Sequence, residues 1–301
     1  MKSLLLACAI ATGCTACLPT GDVGGLWRAP IADMPFEAGQ TSGGVAGSDG
    51  LFVMGGYYPQ LTEMPLARLD LHTFEWSSRA ALVSTAGSRV IGGGTVLDSV
   101  PYACVFETDL ASNSLRCAHY DSGTNIWVDV QRPPSVFEQS FLMSALDGLV
   151  YLTLSQRTLV LDPTTSTWTE GPSLNFSTQT GVLVAHDGKL YRFSARAGFG
   201  SNELEVLDPV AGVWQTLAPP PDDLTLEFGG VSLGGRIWLH RADELITFDP
   251  ADGSYADVVK LRASRPGTSL VGGADTLFVA GGNDPGGAIG IYLRTIEGFT
   301  P

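Results

Sequence analysis

A short phrase that returns five times along the chain limits the possible folds more than any other feature of the sequence. In each copy an apolar or aromatic residue precedes an aspartate, and an aromatic residue stands six positions after that aspartate. The pairs are Asp70 with Trp76, Asp121 with Trp127, Asp162 with Trp168, Asp208 with Trp214, and Asp249 with Tyr255. Counted from Trp27, successive aromatic residues of this kind are 49, 51, 41, 46 and 41 residues apart. A fixed offset at a nearly regular period indicates one structural unit repeated along the chain.

Each phrase predicts a hairpin. An aspartate carboxylate opens a turn by accepting hydrogen bonds from backbone amides two residues further along, and proline or glycine continues the turn. Pro163, Pro209 and Pro250 directly follow their aspartates. Apolar residues alternate before the turn, as in Leu204 and Val206, and the aromatic residue starts the next strand.

A second pair of strands precedes each hairpin. Short runs typical of strands occupy residues 51–54, 149–152, 190–193, 237–240 and 277–280. Tight-turn dipeptides such as Asp147-Gly148 and Gly234-Gly235 stand before most of them, and such dipeptides are strong hairpin signals. The strands ahead of those turns are rich in small residues, which suit a crowded centre. Four strands per repeat predict the blades of a β-propeller.

The repeats resemble those of the kelch family. Double glycines at Gly55-Gly56 and Gly281-Gly282 end second strands, and the third-strand aspartates and fourth-strand tryptophans complete the likeness. The resemblance covers about residues 26 to 297. It departs from the family in four repeats, where other residues stand in place of the double glycine: Phe106-Glu107, Leu154-Ser155, Ser194-Ala195 and Arg241-Ala242.

The strand count predicts six blades in one domain, residues 26–301. Five copies are complete, and residues 268–274, 277–282 and 290–295 supply three further strands without an aromatic fourth. We expect the strand at Leu26-Trp27 to complete this last blade, which closes the ring and removes both free sheet edges. The predicted fold is therefore all-β, a six-bladed kelch-like β-propeller. Two separate β-sandwiches would need a linker near residue 150, where the repeat runs on unbroken.

Composition excludes several classes of partner. With 44% hydrophobic residues, 16% charged residues and 37 glycines, the chain does not match a disordered or coiled-coil protein. Its formal net charge of -14 repels a phosphate backbone, so we expect no nucleic-acid partner. We further expect a monomer.

Residues 1–17 are typical of an export signal. Lys2 precedes a short apolar run that is far below the roughly 20 residues of a membrane-spanning helix. The four residues ending at Cys14 resemble a bacterial lipobox, with Ala11 where that motif usually has leucine. This indicates lipidation at Cys14 or, less favoured, at Cys17, and the alternative is ordinary signal cleavage after Ala16. Residues 18–25 would then be a tether, and the protein an anchored lipoprotein of the bacterial cell envelope or a secreted protein.

Two cysteines remain in the body of the chain. Cys104 and Cys117 face each other if the polar turn between their strands is symmetric, and cross-strand spacing suits a disulfide. The alternative is a pair of buried free thiols. A metal site would need more ligands than these two residues.

The sequence offers no catalytic constellation. The four histidines fall in different repeats, and no metal-binding or nucleophile motif is present, so we expect no catalytic residue, no metal and no cofactor. The resemblance to propellers places the loops between second and third strands on one face with the connections to the next blade. Aromatic and charged residues there are the candidate binding residues: Tyr57, Tyr58, Phe137, Glu138, Arg196, Phe199, Glu227 and Phe228. The opposite face, built from the repeated aspartate turns, should be uniform and inert.

Two functional hypotheses follow. The first is a non-enzymatic module that binds a protein, peptide or glycan on the loop-bearing face, with the membrane reached only through an N-terminal lipid. The second is a carbohydrate-active enzyme similar to the six-bladed kelch-type sialate mutarotases. An arginine and a carboxylate together at the ring centre would favour the enzyme.

Overall fold

The protein forms six antiparallel sheets arranged as the blades of a ring. The computed structural model describes residues 26–27, 31–37, 42–45, 47–55, 57–58, 62–84, 90–108, 113–134, 141–177, 180–195, 202–220, 226–241, 243–261, 268–273, 275–282, 294 and 296–301. Within these ranges, no helix has the length and apolar character that crossing a bilayer requires.

Every blade is built on four antiparallel strands, and a fifth short strand joins the sheet of blade 2. Blade 1 contains β2 (Ser42–Val45), β3 (Gly50–Met54), β5 (Glu63–Asp70) and β6 (Trp76–Val83). Blade 2 contains β7 (Val90–Leu97), β8 (Val100–Thr108), β9 (Asn113–Asp121) and β10 (Ile126–Asp129), and β4 (Tyr57–Tyr58) adds to the edge of β7. Blade 3 contains β11 (Phe141–Leu146), β12 (Leu149–Leu154), β13 (Arg157–Asp162) and β14 (Thr167–Glu170).

The second half of the chain repeats this plan. Blade 4 contains β15 (Thr180–His186), β16 (Lys189–Ala195), β17 (Asn202–Asp208) and β18 (Val213–Thr216). Blade 5 contains β19 (Leu226–Leu233), β20 (Arg236–Arg241), β21 (Glu244–Asp249) and β22 (Ser254–Lys260). Blade 6 contains β23 (Ser269–Gly272), β24 (Leu277–Ala280), β25 (Ile296–Thr300) and β1 (Leu26–Trp27).

The N-terminal strand closes the ring, as the sequence predicts. Leu26 pairs with Thr300 and Trp27 with Phe299, so β1 is the outer strand of blade 6. The third strand of this blade lies at Ile296–Thr300, directly after the predicted range 290–295. Of that predicted range the structure describes only Arg294, which is not part of a strand.

The aspartate turns have the predicted geometry in all five copies. Oδ1 of each aspartate accepts a backbone N–H from two residues further along, at 2.8 to 2.9 Å. The tryptophans that follow join the blades. The Trp127 indole donates to the carbonyl oxygen of Ala80 in blade 1, and the Trp214 indole donates to the Thr158 hydroxyl in blade 3. The repeated residues thus have structural roles.

Close packing explains the small residues of the inner strands. A Cβ atom on Gly43 would come within 2.2 Å of the Phe52 carbonyl oxygen, and one on Gly181 within 2.2 Å of the Phe193 carbonyl oxygen. Real Cβ atoms do not approach that closely, so glycine is required at both positions.

Six buried apolar clusters fill the junctions between consecutive blades, including the junction between blades 6 and 1. One of them, between blades 2 and 3, contains the disulfide. Cys104 and Cys117 are bonded and directly paired across β8 and β9. The predicted disulfide is therefore confirmed.

Candidate binding face and central channel

The strand directions define two rims of the ring. In each blade the first and third strands run in one direction, and the second and fourth run back. One rim therefore carries the connections between second and third strands and the connections between blades, and we call it the loop rim. The other rim carries the tight turns between first and second strands and the aspartate turns, and we call it the turn rim. Of the eight predicted binding residues, the structure describes the backbone of Tyr57, Tyr58, Glu227 and Phe228, and these four belong to segments of the loop rim.

The backbone of Tyr57 and Tyr58 reaches the inner edge of blade 2. These residues form β4, in which Tyr57 pairs with Ile91 and Tyr58 with Val90 of the inner strand β7. A segment that leaves blade 1 thus adds a short strand to the neighbouring blade beside the ring centre. The period of the repeat did not indicate this pairing.

The backbone of Glu227 and Phe228 lies in the inner strand β19 of blade 5. The pairing of β19 with β20 is regular from Gly230 to Leu233 and shifts between Leu226 and Gly230. Glu227 and Phe228 therefore occupy an irregular stretch at the loop-rim end of the strand. Bulges of this kind often lie next to functional sites, because they redirect side chains.

The other predicted site residues lie outside the described residues. They are Phe137, Glu138, Arg196, Phe199 and the predicted lipidation site Cys14. The strand ends around them are described: β16 ends at Ala195 and β17 begins at Asn202, both at the loop rim. The assignment of Arg196 and Phe199 to this rim therefore follows from chain connectivity, and their roles stay predictions.

A channel of about 360 Å³ lies at the centre of the ring. Its wall is formed by the inner strands of all six blades, at residues 42–45, 92–95, 141–144, 181–185, 230–232, 269–270 and 272–273. None of these lining residues carries a charge. Ser42 and Ser269 line the channel, and neither hydroxyl has a hydrogen-bond partner among the described residues, although both oxygens are buried.

A buried ion pair lies in blade 4, on the side that faces blade 3. Arg192 of β16 is paired across the sheet with Glu205 of β17, and Nη1 of Arg192 donates to Oε2 of Glu205 at 2.9 Å. The same nitrogen donates to the carbonyl oxygen of Phe176 at 3.1 Å, and the backbone N–H of Asn175 donates to the second carboxylate oxygen of Glu205 at 2.8 Å. The side chains of Arg192 and Glu205 are only 2% and 0% exposed.

Burial and charge act in opposite directions on Arg192. Burial lowers the pKa of its guanidinium, and the Glu205 carboxylate together with Glu203 raises it. Glu203 is also buried and is paired across the sheet with Ser194. Because Arg192 is enclosed and bonded to Glu205 and Phe176, it is in no position to bind an anion in the channel.

Blade 4 is exceptional at this position. Arg192 is the fourth residue of a second strand, and its partner Glu205 lies opposite on the third. The matching pairs in blades 1, 2, 3 and 5 are apolar: Val53 with Ala67, Ala103 with Ala118, Leu152 with Leu159, and Leu239 with Ile246. This pair was not predicted from the sequence, although the arginine inside the strand-like run 190–193 was a signal for it.

The histidines have separate surroundings, as expected. His186 Nδ1 lies 2.8 Å from the Ser232 hydroxyl, and His240 Nδ1 lies 3.0 Å from the Thr268 hydroxyl. In the described part of the chain, no group of three or more His, Cys, Asp or Glu side chains is arranged to hold a metal ion.

The turn rim is less uniform than expected. A cavity of about 210 Å³ lies there between blades 4 and 5, and its lining includes His186, Asp187, Lys189 and Asp249. The turn rim is therefore not uniform at the junction of blades 4 and 5, contrary to the prediction.

Comparison with known proteins supports the fold. No model of a known protein family matches the chain. A stretch of 122 residues is 28% identical to Kelch-like protein 15 of Danio rerio, and the match spans 34% of this chain and 19% of that relative. The solved structure of YjhT superposes with a TM-score of 0.69 at 14% identity, and the match covers 88% of this chain and 95% of YjhT. The chain is a six-bladed β-propeller.

Proposed function

We propose that this chain is a non-enzymatic binding propeller that takes a protein, peptide or glycan at its loop rim. The observation that carries the proposal is the concentration of irregular features there. β4 crosses from blade 1 to the edge of β7, and the pairing of β19 becomes irregular, both at the same end of the inner strands. The repeated aspartates and tryptophans already form turn and inter-blade hydrogen bonds. We therefore assign binding to the irregular segments around β4 and β19 instead.

The direction of β1 determines which rim an N-terminal anchor would adjoin. Leu26 pairs with Thr300, where β25 reaches the turn rim, and Trp27 pairs with Phe299 further from that rim. The chain therefore enters the propeller at the turn rim. An anchor at Cys14, or at Cys17, would lie on that side and leave the loop rim directed away from the membrane. The disulfide between Cys104 and Cys117 suits an exported protein.

Two experiments test the proposal. The purified domain is screened on glycan and peptide arrays, and the best hit is titrated against Tyr58→Ala and Phe199→Ala. Each change should weaken binding by more than about 1 kcal/mol without altering the melting temperature, since large aromatic side chains often dominate binding energy. Thr165→Ala in an aspartate turn is the control and should bind normally. If Thr165→Ala loses more binding affinity than either aromatic variant, the assignment of the binding face to the loop rim is wrong.

Anchoring is tested separately in bacterial cells. The full chain should partition into the detergent phase with the membrane fraction, and Cys14→Ser should release it. A mature protein that begins at Cys17 and carries no lipid would contradict the anchor.

The second candidate is a carbohydrate-active enzyme similar to kelch-type sialate mutarotases, and it rests on analogy of fold. Arg192 and Glu205 do not favour it, because both side chains are enclosed within the protein. The test is the rate of anomer exchange of N-acetylneuraminate, followed by NMR with and without the protein. Acceleration that Glu203→Gln abolishes, while the protein stays folded, would support the enzyme. An exchange rate that is the same with and without the protein would favour the binding module.

A further inference from the structure

We infer that the central channel takes an uncharged small molecule bearing hydroxyl or amide groups. This inference rests on the proposed function, because it treats the loop rim as the entrance to a binding site. The channel volume of about 360 Å³ lies at the lower end of the range for small-molecule sites. It therefore suits a compact ligand and not a folded partner.

The described lining residues carry no charge, and this selects against ionic ligands. Their side chains are those of serine, threonine, alanine, valine, leucine, methionine and phenylalanine, between many glycines. A ligand carboxylate or ammonium group would lose its hydration there without gaining a counter-charge, which is costly. Arg192, which could have offered a positive charge nearby, is already bonded to Glu205 and Phe176.

Two serine hydroxyls give the channel a polar side. Ser42 begins β2 of blade 1 and Ser269 begins β23 of blade 6, so both lie at the loop-rim end of adjacent inner strands. The Ser269 side chain is nine-tenths buried or more, and neither hydroxyl has a partner in the described part of the chain. An unsatisfied buried hydroxyl is unfavourable, and a ligand hydroxyl or amide would restore its hydrogen bond. The Ser232 hydroxyl of blade 5 differs, because it is engaged by His186.

The opposite side of the channel is mainly apolar. Phe141, Leu142 and Met143 of blade 3 and Val182 and Leu183 of blade 4 line it, across the ring from blades 6 and 1, and Ser144 is the polar residue among them. A molecule with hydroxyl groups along one edge and a C–H face on the other matches this division, as neutral sugars do. Aromatic and aliphatic walls with a few placed polar groups are typical of such sites.

The direct test is saturation-transfer NMR on the full domain with D-glucose, D-galactose and N-acetyl-D-glucosamine, and with N-acetylneuraminate as the charged comparison. At least one neutral sugar should bind with a dissociation constant of about 1 mM or below, and N-acetylneuraminate should bind more weakly. Failure of all three neutral sugars to bind, or tighter binding of the anionic sugar, would overturn the inference.

Serine variants locate the ligand. Ser42→Ala and Ser269→Ala should each weaken binding of the neutral sugar about three- to tenfold, the value of one hydrogen bond. Neither should lower the melting temperature, because each removes a hydroxyl that has no partner among the described residues. Ser122→Ala makes the same chemical change in an exposed aspartate turn and should alter neither quantity.

The two proposals fail in different ways. Suppose that a neutral sugar binds, that Tyr58→Ala weakens its binding, and that both serine variants bind it normally. The ligand then lies on the loop rim and the channel inference is wrong. If peptides bind on the array but no neutral sugar binds in solution, the rim proposal stands alone. If the serine variants lose binding and Tyr58→Ala does not, the channel inference holds and the assignment of Tyr58 to the site is wrong.

Discussion

The ion pair between Arg192 and Glu205 gives a sharp test of the energetics of this propeller. Arg192→Leu leaves the Glu205 carboxylate fully buried and without the cation that it is bonded to, and Glu205→Leu leaves the guanidinium without the carboxylate that it is bonded to. Removing one partner of such a pair typically costs about 3 to 5 kcal/mol of folding free energy. Whole domains are stable by only about 5 to 15 kcal/mol, so each single change should remove a large part of the stability.

The double variant should behave differently. Arg192→Leu with Glu205→Leu reproduces the Leu152 and Leu159 pair that blade 3 carries at the same register. It removes both buried charges together, and well-packed apolar replacements of buried ion pairs are often neutral or stabilising. The Asn175 amide and the Phe176 carbonyl lose their partners, at about 1 to 3 kcal/mol each. We therefore expect a net loss smaller than that of either single variant.

Urea unfolding of the wild type, both single variants and the double variant forms a double-mutant cycle. The Arg157–Glu170 pair in blade 3 is the matched control, because its side chains are 36% and 56% exposed. Breaking that pair should cost no more than about 1 kcal/mol. Additive losses in the Arg192 and Glu205 cycle, or equal effects at the buried and exposed pairs, would refute the reasoning.

Three further predictions concern the elements that stabilise the ring. A chain starting at residue 31 lacks β1 and exposes the edge of β25, so it should melt at a lower temperature than a chain starting at residue 26, and equal melting temperatures would show that β1 does not stabilise the ring. Replacing Cys104 and Cys117 by alanine should cost roughly 3 kcal/mol in urea unfolding if restriction of the unfolded chain by a loop of this length dominates, and free thiols found by mass spectrometry in the oxidised protein would contradict the bond. Hydrogen bonds from Thr164 hold the pKa of Asp162 below its ordinary value of 3.8, so the carboxylate stabilises the fold above that pH and loses this effect as the pH falls through the lowered pKa. The melting temperatures of the wild type and Asp162→Asn should therefore converge from about pH 5 to about pH 2, and a gap that widens in acid would reverse the sign.

The architecture was predictable because the same local sequence requirements recur from blade to blade. The aspartate turn needs a carboxylate two residues before the amides that it binds, and the turn at Asp147-Gly148 needs backbone angles that glycine and aspartate tolerate. These requirements act over a few residues, so they are visible in the sequence. The closing strand was also predictable, since blade 6 lacks an outer strand and Leu26-Trp27 lacks a blade.

The features of the candidate site were harder to predict from the sequence, because they depend on contacts between repeats. The pairing of Tyr57 with Ile91 joins the end of one blade to the inner strand of the next, and no local pattern marks it. The third strand of blade 6 was placed too early because residues 290–295 alone did not distinguish the strand from the connection before it. Ser42 and Ser269 read as ordinary small residues, and only the closed ring brings them to the same channel wall.

Repetition itself separates structure from function in this fold. A residue that recurs in every blade meets a need that every blade has, as Trp127 and Trp214 do when they donate to the preceding blade. The departures then fall into two groups. Arg192 and Glu205 depart inside a junction, where they satisfy each other and affect stability. Ser42 and Ser269 differ in having hydroxyls without partners among the described residues, at a channel wall whose described residues carry no charge. Because the protein leaves these hydrogen bonds unmade, a ligand can form them, and for that reason the channel serines are the more informative residues to change first.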